Sequence, residues 1–131
     1  MTEEDDVRQV IGRLHDAWSK HPPDEILQAM EGLWHRDAVI LVGAQEMARG
    51  RDECIKSYRD FVEQVTVEDA TLGDPSIGVW GDAAVATSSW HMTYDLDGQR
   101  HSESGHESFV LVRTDRGWEI VWRSIVPTAR A

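Results

Sequence analysis

Residues 88–112 read SSWHMTYDLDGQRHSESGHESFVLV, and this stretch decides the fold. Its first arm alternates as a strand does, Asp97-Gly98 supplies a two-residue turn, and the second arm alternates again. A long hairpin is expected. Strand-like runs surround it: TVEDATL (66–72), SIGVWG (76–81), AAVATSSWHMTY (83–94), ESGHESFVLVR (103–113) and GWEIVWRSIV (117–126), all rich in Val, Thr, Trp or Ile. Gly81-Asp82 and Asp115-Arg116-Gly117 are further turns, and Pro75 marks a bulge or a sheet edge.

Upstream the period changes to that of a helix. Thr2 and Asp5 form a capping pair, and Val7, Val10, Ile11, Leu14 and Trp18 then share one stripe of a helix ending near Lys20. His21-Pro22-Pro23 breaks it. Asp24 opens a second, shorter helix carrying Ile26, Leu27, Met30, Leu33 and Trp34, before RDAVILVG (36–43) turns into a buried strand. A loop closing at Gly50 follows. A third helix begins at Asp52 and presents Cys54, Ile55, Tyr58, Phe61, Val62 and Val65. Helices first and a strand meander afterwards define an α+β chain, one domain over residues 1–131, with helices packed on one face of a strongly curved antiparallel or mixed sheet.

Composition narrows the function. Twenty-four acidic residues against 13 Lys and Arg leave a formal charge of −11, which repels nucleic acid and anionic membrane surfaces alike. No apolar run approaches the ~20 residues that span a bilayer. The acidic start MTEEDDVRQV lacks the features of a secretory signal, so a cytoplasmic location is expected. A single cysteine, Cys54, excludes an internal disulfide and a cysteine-based metal cage.

Three residue groups carry a resemblance: the junction from Trp34 to Val39, the helix start from Gly50 to Tyr58, and the closing GWEIVWRS (117–124). Together they resemble the nuclear transport factor 2-like, or SnoaL-like, superfamily, including the association domain of calcium/calmodulin-dependent protein kinase II. The resemblance implies a cone-like fold in which the sheet wraps around the first helix and encloses a pocket. It implies no single function, because members include steroid isomerases, polyketide cyclases, dehydratases, epoxide hydrolases and assembly modules without chemistry. In the isomerase-like pattern a tyrosine and an aspartate move the proton. Leu14 and Val42 stand at those positions, which argues against that mechanism. The same pattern places Glu107 where a carboxylic acid donates to the substrate oxygen. The kinase-like pattern places an inward arginine near His91.

Alternation puts Glu107, Phe109 and Leu111 on one face of their strand, and the expected inward partner on the neighbouring strand is His91. A histidine and a carboxylate in an apolar cavity titrate as a coupled pair suited to acid and base work or to orienting a hydroxyl or carbonyl. His91 and Glu107 are therefore the expected catalytic residues. Trp18, Trp34, Tyr58, Ser89, Trp122 and Ser124 are the expected ligand-binding walls. Each has a plainer explanation: a His/Glu pair satisfies trapped polar groups, and tryptophans at regular spacing fill cores. HSESGHE (101–107) offers metal-ligating residue types, but alternation turns His106 away from His101, Glu103 and Glu107, so no metal site and no cofactor is expected.

Trp90, Met92, Val110, Val112, Val121 and Ile125 are expected to form a second apolar face on the outside of the sheet, which water does not cover well. A homodimer through that face follows. The sequence thus leads to a binding protein for a small apolar or aromatic molecule bearing a hydroxyl or carbonyl. The alternatives are a cofactor-independent cyclase, isomerase or dehydratase, and a non-catalytic assembly module. A void under about 100 Å3, well below the usual ~300 Å3 of ligand sites, excludes the first two.

Overall fold

A computed structural model of the chain describes residues 2–130, with side chains through Thr128. Met1 and Ala131, the ends of the expected domain, lie outside the described residues. Helix α1 (Glu3–Ser19) opens on the capping box: the Asp5 amide donates to Thr2 Oγ1 at 3.1 Å, and the Thr2 amide donates to Asp5 Oδ2 at 3.2 Å. Val7, Val10, Ile11, Leu14 and Ala17 are buried along one stripe. Each of the larger ones contributes on the order of 1.5–3 kcal/mol by leaving water.

The second helix is shorter than its apolar spacing suggests. It is a 3-10 turn (Pro23–Glu25) and one α-helical turn, α2 (Ile26–Ala29). Gly32, at φ 80°, ends it, and Trp34 opens a strand instead of closing a helix. Ile26, Met30, Leu33 and Trp34 are nevertheless all fully buried, because a turn followed by a strand satisfies the same spacing. Strand β1 (Trp34–Val42) turns through Gly43 into β2 (Gln45–Arg49), a strand where a loop was expected. Gly50 leads into α3 (Arg51–Gln64), which buries Cys54, Ile55 and Tyr58.

The remaining strands are β3 (Thr66–Leu72), β4 (Ser76–Trp80), β5 (Ala83–Leu96), β6 (Gln99–Thr114) and β7 (Gly117–Arg130). All seven belong to one sheet in the order β2-β1-β7-β6-β5-β3, with β4 also paired to β5. Only β1 and β7 run parallel, so the sheet is mixed. β3 pairs with the second half of β5 and β4 with the first, and Gly73-Asp74-Pro75 separates them into an interrupted edge. The helices cover the concave side: α1 touches β3, β4, β5 and β7, and α3 packs on β1 and β2.

Two register features decide which residues reach that concave side. Leu96 pairs with Gln99 across Asp97 (φ 53°) and Gly98 (φ 80°), so Ser88 opposes Glu107 and His91 opposes Ser104. Directly opposed residues project to the same side. Positions 88 and 91 are three apart, which puts Glu107 and His91 on opposite faces. On β7, Ile120 pairs with Leu111 and Trp122 with Val110, leaving Val121 as the extra residue of a bulge. The bulge reverses the alternation, so Arg123 and Ile125 turn inward and Trp122, Ser124 and Val126 outward.

Candidate functional site

Between α1, α3 and the concave sheet lies a cavity of about 280 Å3, close to the lower end of the ~300–1,000 Å3 usual for ligand sites. Its wall is largely apolar, drawn from Ile11, Leu14, Trp18, Phe61, Met92 and Ile125 among others. The polar members are fewer. Glu107 and Arg123, neighbours across β6 and β7, form an ion pair: Arg123 Nη2 and Nε donate to the same carboxylate oxygen, Oε2, at 2.7 and 3.1 Å. Their side chains are 7% and 15% exposed. Glu107 Oε1 is not engaged by Arg123.

The guanidinium lies over the Tyr58 ring, 5.0 Å from its centroid, and 5.8 Å from that of Phe109. Burial drives the Tyr58 pKa well above its ordinary value; Arg123 opposes this and Glu107 adds to it, so the hydroxyl stays protonated. Neither the Tyr58 hydroxyl nor Trp90 Nε1 has a hydrogen-bond partner among the described residues, although both atoms are buried. Both residues are among those that line the cavity. An unpartnered buried polar group costs roughly 1–3 kcal/mol. Gly105 makes room for the Trp90 indole, since a Cβ there would stand 2.8 Å from Trp90 Cζ2.

His15 joins the wall from α1. Its Nε2 lies 3.2 Å from the Ala70 carbonyl oxygen, which only accepts, so Nε2 carries the hydrogen. Its ring meets Trp18 edge-on at 5.5 Å.

Of the expected site residues, Trp18, Tyr58 and Glu107 line this cavity. Trp34 does not: it is fully buried in the core, its ring 5.9 Å from that of Tyr58. Ser89, Trp122 and Ser124 lie on the convex face, Ser89 by the hairpin register and the other two by the bulge. His91 borders the cavity, but the residue is exposed, and its ring binds Ser104 Oγ at 2.8 Å through Nδ1 on the convex side. No His91/Glu107 pair is formed. The expected outer apolar face is corrected for the same reasons. Trp90, Met92 and Ile125 belong to the cavity wall, Val121 is the bulged residue, and Val110 and Val112 remain on the outside. Arg123, Trp90 and His15 were missed by sequence reasoning. The turn length was signal enough for Trp90, whereas nothing in GWEIVWRSIV announces a bulge.

No group of three or more His, Cys, Asp or Glu side chains gathers in a metal-binding arrangement among the described residues. Among the same residues, no helix is long and apolar enough to cross a membrane.

An open, curved mixed sheet with helices in its concavity and a cavity between them defines the cone-like α+β class. The model of the SnoaL-like domain family matches residues 7–126, and the chain belongs to that family. Solved structures agree on the fold. A nuclear transport factor 2-like superfamily protein from Salmonella enterica serovar Typhimurium is 24% identical, with 97% of this chain and 92% of that one aligned at a TM-score of 0.80. A protein from Novosphingobium aromaticivorans, described as a candidate aromatic ring hydroxylase, aligns at a TM-score of 0.82 with 15% identity over 98% of this chain and 92% of its own. A candidate calcium/calmodulin-dependent kinase II association domain from Exiguobacterium sibiricum aligns at 0.78 with 11% identity over 100% and 97%. No curated protein matches the sequence.

Proposed function

We propose that the protein binds a small, largely apolar molecule in the cavity beneath α1, with Tyr58, Trp90, Glu107 and Arg123 meeting its polar group. The observation that carries this reading is the pair of buried, unpartnered donors, Tyr58 OH and Trp90 Nε1, on side chains that line the same cavity. A ligand oxygen that accepts from either atom, once a small side-chain shift uncovers it, offsets the cost of the unpaired donor. The aromatic walls supply the apolar contact, and the N. aromaticivorans neighbour makes aromatic compounds a sensible first library.

A broad ligand screen monitored by thermal shift tests the reading, since binding to the native state alone raises Tm. Hits are expected to lose about 1 kcal/mol of affinity in Tyr58→Phe, the size of one neutral hydrogen bond. The variant itself should be at least as stable as the parent, because it removes a buried hydroxyl that has no partner among the described residues. A library without a single hit overturns the reading.

His15 favours a catalytic extension of the same site. With Nε2 donating to Ala70, the neutral ring keeps its lone pair on Nδ1 and is able to accept a proton without any cofactor. Loss of turnover in His15→Gln with unchanged binding would identify it as the base.

The molecule also associates as a homodimer in this reading. Val85, Trp122 and Val126 are 37%, 39% and 47% exposed on the convex face, beside Val110 and Val112. The kinase association-domain neighbour supports assembly as a use of this fold.

A further inference from the structure

Arg123 is the sole Arg or Lys among the described residues that line the cavity, and its charge is already answered by Glu107. Both donating nitrogens converge on Glu107 Oε2, inside a wall that is otherwise mostly apolar. Each charge in such a place is tolerated because the other cancels it. A ligand carboxylate entering the cavity would give up its own water and add a second negative charge against one shared cation. The chain's formal charge of −11 opposes it as well. An uncharged oxygen acceptor adds no charge and gives up far less hydration. Tyr58 OH and Trp90 Nε1, buried atoms of two wall residues, have no partner among the described residues and gain one if such an oxygen reaches them.

Building on the ligand-binding reading, we infer that the cavity selects an uncharged ligand bearing a hydrogen-bond-accepting oxygen, an aromatic ketone being the simplest case, and rejects the matching carboxylate. Glu107 sets that selection by cancelling the charge of Arg123. It is a specificity-determining residue, and its removal should turn a ketone site into a carboxylate site.

Two probes of one skeleton, 2-acetonaphthone and 2-naphthoic acid, separate the outcomes by isothermal titration calorimetry at neutral pH. The folded wild type should bind the ketone at least about tenfold more tightly than the acid. In Glu107→Gln the unopposed guanidinium should reverse the order, with the acid now the tighter ligand. Equal or tighter binding of the acid by the wild type overturns the inference, as does a Glu107→Gln protein that still prefers the ketone. Circular dichroism establishes that each variant is folded. Should Glu107→Gln fail to fold, Arg123→Met serves in its place: the unopposed Glu107 should then prefer (2-naphthyl)methylammonium over both other probes, and an unchanged ketone preference overturns the inference. If the wild type binds neither starting probe, the inference fails for this acceptor class, while the broad screen judges the ligand reading separately.

Discussion

Cys54 sits on α3 with no exposed surface, its thiol 3.6 Å from the Ala38 carbonyl oxygen. Burial first, and then the charge of Glu53, push its pKa up from 9.0 to about 11, against a smaller opposing pull from Arg123. A thiol held neutral in an apolar core is a packing group and a poor nucleophile. The native protein should therefore resist a thiol reagent at pH 8 and react fully once unfolded. The pH dependence has a definite sign. Between pH 9 and about 11 the unfolded chain releases this proton while the folded chain keeps it, so stability falls as pH rises through that window. Cys54→Ala should flatten this part of a stability profile measured by urea denaturation. Residue-scale chemistry was partly legible in the sequence. Glu107 faces inward because simple alternation holds along β6, and Tyr58 does because helical spacing holds along α3. His91 was misjudged although the information was present: a two-residue turn at Asp97-Gly98 pairs 91 with 104 and 107 with 88.

Within single elements, local exceptions to periodicity shape the site more than the rule does. The bulge at Val121 swings Arg123 toward Glu107 and sends Trp122 out. No composition signal marks that extra residue, because bulging is fixed by how β7 meets β6 and β1 at once. The short α2 shows the converse, where one spacing of apolar residues fits a helix or a turn followed by a strand. Glycines offer a controlled comparison. A Cβ at Gly105 would strike the Val126 carbonyl oxygen and come within 2.9 Å of Pro127 Cα, both backbone, besides Trp90. At Gly78 the three nearest atoms all belong to the ring of Trp80, an exposed side chain with room to swing away. Gly105→Ala should destabilise the protein by about 1–3 kcal/mol, the range for overpacking. Gly78→Ala should stay within about 0.5 kcal/mol, as surface changes do. Chemical denaturation of the two variants side by side checks the difference.

Across the whole molecule, the order of elements was readable because helices and strands segregate along the chain, and α+β architecture follows from that order. The make-up of the convex face was only half readable. Val110 and Val112 lie outside, but the aromatic anchor of that face is Trp122 in place of Trp90. Trp122→Arg should weaken a convex-face dimer by about 2 kcal/mol or more, as loss of a central aromatic does. Sedimentation velocity reads this directly as a shift to monomer with an unchanged circular dichroism spectrum. A wild type that sediments as monomer at micromolar concentration removes the dimer.

The sheet does not close on itself, and an open sheet invites another chain to add a strand. Here both margins discourage such growth. One is β2, five residues long and carrying Glu46 and Arg49, and the other is split at Gly73-Asp74-Pro75, where proline offers no amide hydrogen to an incoming strand. The chain can thus keep the curvature that encloses its cavity and still resist fibrillar stacking, a hazard that an unbroken margin would carry into concentrated solution.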